Sequence, residues 1–355
     1  MLNIISFENE LPENKYLDFI IENYNYSTDS LILDYNYSYF KHYVSKDMCS
    51  FYKFYFVLTP DNKTIIASIV LTKENMYIDN NKTTLVSNNN EVKHYYYLNF
   101  ACVHKDYRKN KLIEKLTYSI YYKYKNNNSL IYAITTKTCG RDEFNIIKQF
   151  KVYNLWNKQL SQNNKLLYNN KSKLYITNIE YIDPNVFYEK KFKYIMKSIK
   201  KNKDFNENST NFRLSINYCK NLHSTNAIYH YLLLEDNSSF FNHKSKYIIL
   251  YKLDLNCSST NKIYDNYYIT DSTQKLSCLE IEKIIEFLYK NNLKTNKQNV
   301  NHSKSEDDSI MINVPDFLLE NEDQFSKLEN ITYQNINIAI LSKNNNFNIQ
   351  NVKFF

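Results

Sequence analysis

The chain has 355 residues and carries 45 Lys and Arg against 37 Asp and Glu, a formal net charge of +8. That length can bury a large core and fits two domains or one big one; the basic residues lie in scattered short clusters such as 197–203, which speaks against nucleic acid as a partner. There are 35 Tyr and 21 Phe but only 1 Gly and 4 Pro, the residue usage of an AT-rich genome, so the Asn tracts at 88–90, 126–128 and 344–346 read as loops.

Residues 14–24 are predicted to form a helix with Leu17, Ile20, Ile21 and Tyr24 on one side. A strand over 51–58, turn chemistry at Pro60-Asp61-Asn62-Lys63 and a returning strand over 64–71 make a hairpin. Polar stretches at 80–82 and 87–90 bracket a variable loop, and a long strand then ends at Val103. Leu112, Leu116, Ile120 and Tyr124 recur at four-residue spacing, widened by Ile113, with Glu114 in the first turn; this is an amphipathic helix ended by Asn126–Asn128. Residues 130–135 read as a buried strand.

The second half, after the polar stretch 161–165, offers strands at 173–180, 247–255 and 336–342 and helices at 184–199 and 279–291. Residues 292–308 are polar and read as a loose loop or an exposed helix end. Strand, helix and strand recur here, which allows a second lobe related to the first. The six cysteines (Cys49, Cys102, Cys139, Cys219, Cys257, Cys278) show no CxxC pair and no metal-ligand spacing, as expected of reduced thiols in a cytosolic protein. An N-terminus with Glu8, Glu10 and Glu13 and no long apolar run predicts no signal peptide, and no stretch reaches the length of a transmembrane helix. The expectation is a soluble, cytoplasmic monomer.

The most informative segment runs from Leu98 to Leu112. An apolar, aromatic strand (Tyr95 to Val103) gives way to a basic turn with Arg108, Lys109 and Lys111, and the turn opens the helix. A helix start offers unpaired N–H groups and the positive end of the dipole, so a pyrophosphate such as that of coenzyme A suits it. The alternative is a solvated basic turn. Strands, helix and strand around a ligand-facing turn are the order of the GNAT-type acyltransferase core.

These residues resemble the N-myristoyltransferase (glycylpeptide N-tetradecanoyltransferase) family, whose members carry a stretch close to Asn-Phe-Leu-Cys-Val-His-Lys, then Arg and Lys, then Leu opening a helix. Here it stands as Asn99-Phe100-Ala101-Cys102-Val103-His104-Lys105, then Arg108, Lys111 and Leu112. Weaker echoes follow in family order. Leu33-Asp34-Tyr35-Asn36 is similar to Phe-Asp-Tyr-Ser, and Thr135-Thr136 to the Tyr-Thr near the acceptor glycine. Leu155-Trp156-Asn157-Lys158-Gln159-Leu160 is similar to Tyr-Trp-His-Arg-Ser-Leu. Asp316-Phe317-Leu318-Leu319-Glu320-Asn321, trailed by Phe325 and Lys327-Leu328, resembles Asp-Leu-Met-Glu-Asn with its trailing Phe and Lys-Leu.

The resemblance implies an α/β fold of two tandem GNAT-like halves about a pseudo-twofold axis, with a saddle-shaped mixed sheet flanked by helices. Residues 1–165 would hold myristoyl-CoA as co-substrate, with no prosthetic group. Residues 166–355 would form most of the groove for an N-terminal glycine peptide. The oxyanion of the acyl transfer would meet the backbone N–H groups of Phe100 and Ala101. The base would be the C-terminal carboxylate of Phe355, docked by the apolar end Val352 to Phe355, where the alternative is a frayed terminus. Pyrophosphate would bind at Arg108, Lys109, Asn110, Lys111, Leu112 and Ile113, largely through backbone N–H groups. Asn99 and Thr136 would hold the acceptor amine, with Trp156, Asn157 and Asp316 on the peptide side. His104, past the strand end, reads as structural, and Cys102 as buried packing.

The chain also departs from the family pattern. Only Asp29 and Asp34 remain of the acidic cluster that reads the substrate, and the Pro-Pro-Gly-Trp near Lys46 is absent. Glu329-Asn330-Ile331-Thr332 stands where the family has a glycine-rich loop, and Asn157 replaces the motif histidine. Three readings follow: an active myristoyltransferase of altered peptide preference, an inactive relative kept as a binding or structural protein, encoded by a large AT-rich DNA virus, and a GNAT-type N-acetyltransferase.

Overall fold

The structure is a computed structural model that describes residues 2–24, 31–33, 35–44, 49–74, 76–77, 86–87, 90–91, 94–125, 129–135, 144–157, 176–182, 211–214, 229–236, 244–257, 262–272, 274–296, 310–322, 331–341 and 351–352. The fold is mixed α/β, as expected. The chain divides into two units: Met1–Gln149 with Asp204–Ser224 and Ile336–Lys353, and Phe150–Lys203 with Thr225–Asn335 and Phe354–Phe355.

The first unit holds β1 (Asn3–Glu8), α1 (Asn14–Tyr24), α2 (Tyr37–Tyr43), β2 (Cys49–Leu58), β3 (Ile65–Glu74), β4 (His94–Val103), α3 (Leu112–Tyr124) and β5 (Ser129–Thr135). Its strands run β1-β2-β3-β4 antiparallel, and β5 lies parallel to β4. Strand alternation sorts the side chains to two faces. Tyr55, Val57, Ile69, Leu71, Tyr96 and Leu98 pack under α3 on Leu112, Leu116, Ile120 and Tyr124, the stripe expected from the four-residue spacing. Phe54, Phe56 and Val70 pack on the other face, under Leu17 and Ile20 of α1 and Phe40 of α2.

The second unit repeats this plan. It holds β7 (Ile176–Tyr181), β8 (Tyr229–Asp236), β9 (Lys244–Lys252), β10 (Lys262–Ser272), α4 (Cys278–Asn296) and β11 (Ile310–Pro315). The order β7-β8-β9-β10 is antiparallel, and β11 lies parallel to β10 after the helix. Ile281, Ile284, Ile285 and Leu288, at helical spacing, bury α4 on Leu232, Leu234, Ile248, Leu250, Tyr267 and Ile269.

Each unit is completed by an exchanged strand. β6 (Phe144–Trp156) follows β5 in the chain, yet its residues Val152–Trp156 pair with β11. β12 (Thr332–Leu341) follows β11, yet Asn337–Leu341 pair with β5.

α4 starts on a capping box: Ser277 Oγ accepts from Glu280 N–H at 3.3 Å, and Glu280 Oε2 accepts from Ser277 N–H at 2.7 Å. Lys246, 9 % exposed, bonds Glu280 at 2.7 Å and the Lys275 carbonyl at 2.8 Å. The strand expected over 247–255 ends at Lys252, because Leu253 turns to donate its N–H to the Asn266 carbonyl at 3.0 Å and a separate short strand, Leu255–Cys257, follows. The helix expected over 279–291 runs on to Asn296. The helix expected over 184–199 and the polar stretch 161–165 lie outside the described residues.

His230 on β8 sits between the rings of Tyr181 and Tyr267, on the face that carries Lys252, itself bonded to Asp265 at 2.6 Å and Asp254 at 3.3 Å. Its Nε2 is buried without a hydrogen-bond partner among the described residues. Burial first, and the Lys252 charge second, lower its pKa from 6.5 to about 4. The unfolded chain therefore binds the proton that the folded chain refuses, and stability falls as pH drops from 6.5 towards 4. Urea unfolding at pH 7 and pH 5 is expected to show this loss, of the order of 2 kcal/mol, in the wild type and to show much less of it in His230→Gln.

Candidate active site

The strand β4 changes parity where the resemblance places the reaction. Tyr96 and Leu98 face α3, so uninterrupted alternation would put Phe100 there too. Instead Phe100 and Cys102 pack with the α1 and α2 side. A bulge causes the switch. Val70 pairs with Asn99 and Ser68 with Cys102, so Phe100 and Ala101 together stand against Ile69 alone. Phe100 takes φ 50, in the left-handed region. The parallel pairing of β4 with β5 stops at Leu98, so among the described residues Asn99 to Val103 have no register partner on that side.

A bulky residue at positive φ costs roughly 1–2 kcal/mol. The compensation is a cage of rings. Phe100 is fully buried, and its ring lies 4.9 Å from Tyr24, 5.4 Å from Tyr35, 5.0 Å from Phe40 and 5.2 Å from Tyr43. The bulge is also bonded on both sides. Ser68 Oγ donates to the Phe100 carbonyl at 3.2 Å, while the Phe100 N–H donates to Asn99 Oδ1 at 2.8 Å. Tyr24 OH donates to the same Oδ1 at 3.1 Å. Ala101 is exposed. Cys102 is buried beside Ser68, and burial pushes its thiol up to about 12, which removes it as a nucleophile at neutral pH.

Past Val103 the chain makes a one-turn 3-10 helix, Lys105–Tyr107, capped by His104 Nδ1, which accepts from the Asp106 N–H at 3.4 Å. Arg108 Nε donates to the Val103 carbonyl at 3.4 Å, tying the turn to the strand end. Lys109 takes φ 71 and Lys111 φ 55. Such angles usually fall to glycine, and this chain has a single one, at Gly140. Lys111 is the N-cap of α3 and makes no side-chain cap, and the first helical bond there is Lys115 N–H to the Lys111 carbonyl at 3.0 Å. The N–H groups of Leu112, Ile113 and Glu114 precede it. Lys109, Asn110 and Lys111 are exposed, while Leu112 is buried in the core and Ile113 packs against it.

The same positions of the second unit are filled. β10 also carries one extra residue, Thr270, against β9, two positions beyond its last parallel pair, Tyr268 with Asn313. There the bulge has no positive φ, and the helix start is occupied by its own Glu280 and by Lys246. Leu276, just before α4, forms a parallel bridge with Leu319, just after β11.

Of the other expected site residues, Asp316 accepts the Lys151 N–H at 2.8 Å and opens the turn Asp316–Leu318. Trp156, half-buried at the end of β6, pairs with Met311 and meets the Tyr264 ring edge-on at 5.8 Å; Asn157 follows it. These three stand in the second unit, whereas Asn99, Phe100, Ala101 and residues 108–113 come together in the first. Thr136 and Phe355 lie outside the described residues, as do Asp29 and Asp34. Sequence reasoning missed the roles of Tyr24, Tyr43 and Ser68. The available signal was the aromatic run from Tyr35 to Tyr43, which fits a short helix with rings on one side.

No protein-family model and no curated protein sequence matches the chain. Among solved structures, it is similar to Saccharomyces cerevisiae N-myristoyltransferase with bound myristoyl-CoA, at 11 % identity and a TM-score of 0.57, over 96 % of this chain and 82 % of the yeast chain. The yeast enzyme with bound myristoyl-CoA and inhibitors gives a TM-score of 0.56 at 11 % identity, over 96 % of this chain and 80 % of that one. At that identity the likeness establishes the fold: this chain has the architecture of the yeast N-myristoyltransferase.

Proposed function

We propose that the chain transfers a myristoyl group from myristoyl-CoA to the N-terminal glycine amine of a protein. One juxtaposition carries this reading: a left-handed bulge at Phe100–Ala101, followed by a basic helix start that has no side-chain cap. The yeast N-myristoyltransferase that shares the fold was crystallised with myristoyl-CoA. In this reading residues 1–165 hold the acyl-CoA and 166–355 supply most of the peptide groove.

The pyrophosphate meets the N–H groups of Leu112 and Ile113 and the positive end of α3, with Arg108, Lys109, Asn110 and Lys111 around it. The amine lone pair attacks the thioester carbon, and the carbonyl oxygen becomes an oxyanion held by the Ala101 and Phe100 N–H groups. One such donor is worth about a hundredfold or more in rate. Collapse re-forms the carbonyl, breaks the C–S bond and releases coenzyme A as a thiolate that takes up a proton. The ammonium proton passes to a base, for which the Phe355 carboxylate is the candidate. Asn99 and Thr136 position the amine, and Trp156 and Asn157 border the peptide, with Asp316 fixing β6 through Lys151. With the Cys102 thiol held protonated by burial, the proposed step is direct transfer to the amine, with no acyl intermediate on Cys102.

Myristoyl-CoA incubated with a panel of N-terminal glycine peptides is expected to yield acylated peptide. Binding without transfer would make the chain a binding protein, and preference for acetyl-CoA would make it an acetyltransferase. Because Glu280 and Lys246 fill the second helix start, calorimetry is expected to find one myristoyl-CoA per chain, and two would refute the assignment to α3. A short extension after Phe355 is expected to cut turnover by about a hundredfold or more while leaving acyl-CoA affinity unchanged, and full turnover would remove the carboxylate from the mechanism.

A further inference from the structure

The donor that the proposed reaction needs is already engaged. Phe100 N–H donates to the side-chain carbonyl of the preceding residue, Asn99, at 2.8 Å. The Phe100 carbonyl is fixed by the buried Ser68 hydroxyl at 3.2 Å, and its ring is locked in the aromatic cage, so the N–H keeps its direction when the Asn99 side chain moves. That side chain has other partners. Tyr24 OH donates to Oδ1 at 3.1 Å, and Nδ2 reaches Tyr43 OH at 3.5 Å. Leaving Phe100 would therefore not strand the Asn99 amide.

We infer that Asn99 is a positioning residue that gates the Phe100 N–H: its amide carbonyl holds the donor until a thioester carbonyl takes the same place. This rests on the acyl-CoA reading above. An amide carbonyl and a thioester carbonyl are both neutral acceptors, so the exchange is near balance in the ground state. Once the oxygen becomes an oxyanion it is much the stronger acceptor, and the exchange then favours the substrate. In the free protein the Asn99 bond satisfies a donor that the bulge removes from the ladder, which keeps the strained turn intact without ligand. Tyr24 acts one step back, as the hydroxyl that receives Asn99 when it withdraws. The gate works on the carbonyl alone, and the remainder of the acyl-CoA does not sense it.

The test compares two ligands in the absence of acceptor peptide: myristoyl-CoA, and S-tetradecyl-CoA, in which a methylene replaces the thioester carbonyl. In Asn99→Ala the competing carbonyl is gone, so myristoyl-CoA is expected to bind about fivefold tighter than to wild type, while S-tetradecyl-CoA binds unchanged. Unchanged binding of the second ligand also reports that the variant is folded. Tyr24→Phe is expected to shift myristoyl-CoA by about twofold in the opposite direction, because Asn99 Oδ1 then loses its Tyr24 donor and relies more heavily on the Phe100 N–H. Equal shifts for the two ligands, or weaker myristoyl-CoA binding to Asn99→Ala, overturn the gate. Wild-type protein that binds neither ligand overturns the acyl-CoA reading itself.

Discussion

Phe100 stands at φ 50 at a cost of roughly 1–2 kcal/mol, and what holds it there is the burial of its own ring. Burying a phenylalanine side chain returns about 1.5–3 kcal/mol, with edge-to-face contacts adding to that, so the cage more than offsets the strain. The rings come from α1, α2 and Tyr35, two residues before α2, which makes the packing of those helices on the sheet a condition for the bulge. The bulge in turn takes Phe100 and Ala101 out of the β3–β4 ladder. The candidate chemistry of the first unit rests on this chain of dependence, from aromatic packing to backbone donors.

The second unit supplies an internal comparison. It has the same strand order, a bulge at the corresponding place and a helix launched from the corresponding strand end. What differs is the local chemistry. Ser277 and Glu280 close the helix start, Lys246 neutralises the buried carboxylate, and the Leu276–Leu319 bridge joins the segments beyond the strands. One topology thus appears once with a basic helix start whose N-cap residue, Lys111, makes no side-chain cap and with a bulge at positive φ, and once with a Ser277–Glu280 capping box and a bulge without positive φ. A buried ion pair adds little net stability but is costly to break, so Glu280 is retained at that helix start by Lys246.

Helices α1 and α3 could be read from the sequence because their apolar residues recur at helical spacing against polar neighbours. Leu17 and Ile20, and Leu112, Leu116, Ile120 and Tyr124, are buried as that spacing requires. Strands β1, β6, β8, β10 and β11 and helix α2 are not among the elements the sequence predicts. Tyr231 to Leu234 and Ile310 to Val314 are buried in unbroken runs, so no alternation marks them. The Ser277–Glu280 capping box is legible in its S-x-x-E spacing. At the candidate site the residues were legible as a motif, but their geometry was not. Positive φ at Phe100, Lys109 and Lys111 has no glycine to announce it, and the Asn99 bond to the next N–H is a matter of rotamer.

In the proposed function, acyl-CoA binds the first unit at the bulge and at the start of α3. Amide hydrogen exchange with and without saturating myristoyl-CoA tests it most directly. Slower exchange is expected over residues 99–114, with no change over 276–282 at the start of α4. Protection at 276–282, or none at 99–114, would rule out acyl-CoA binding at the start of α3.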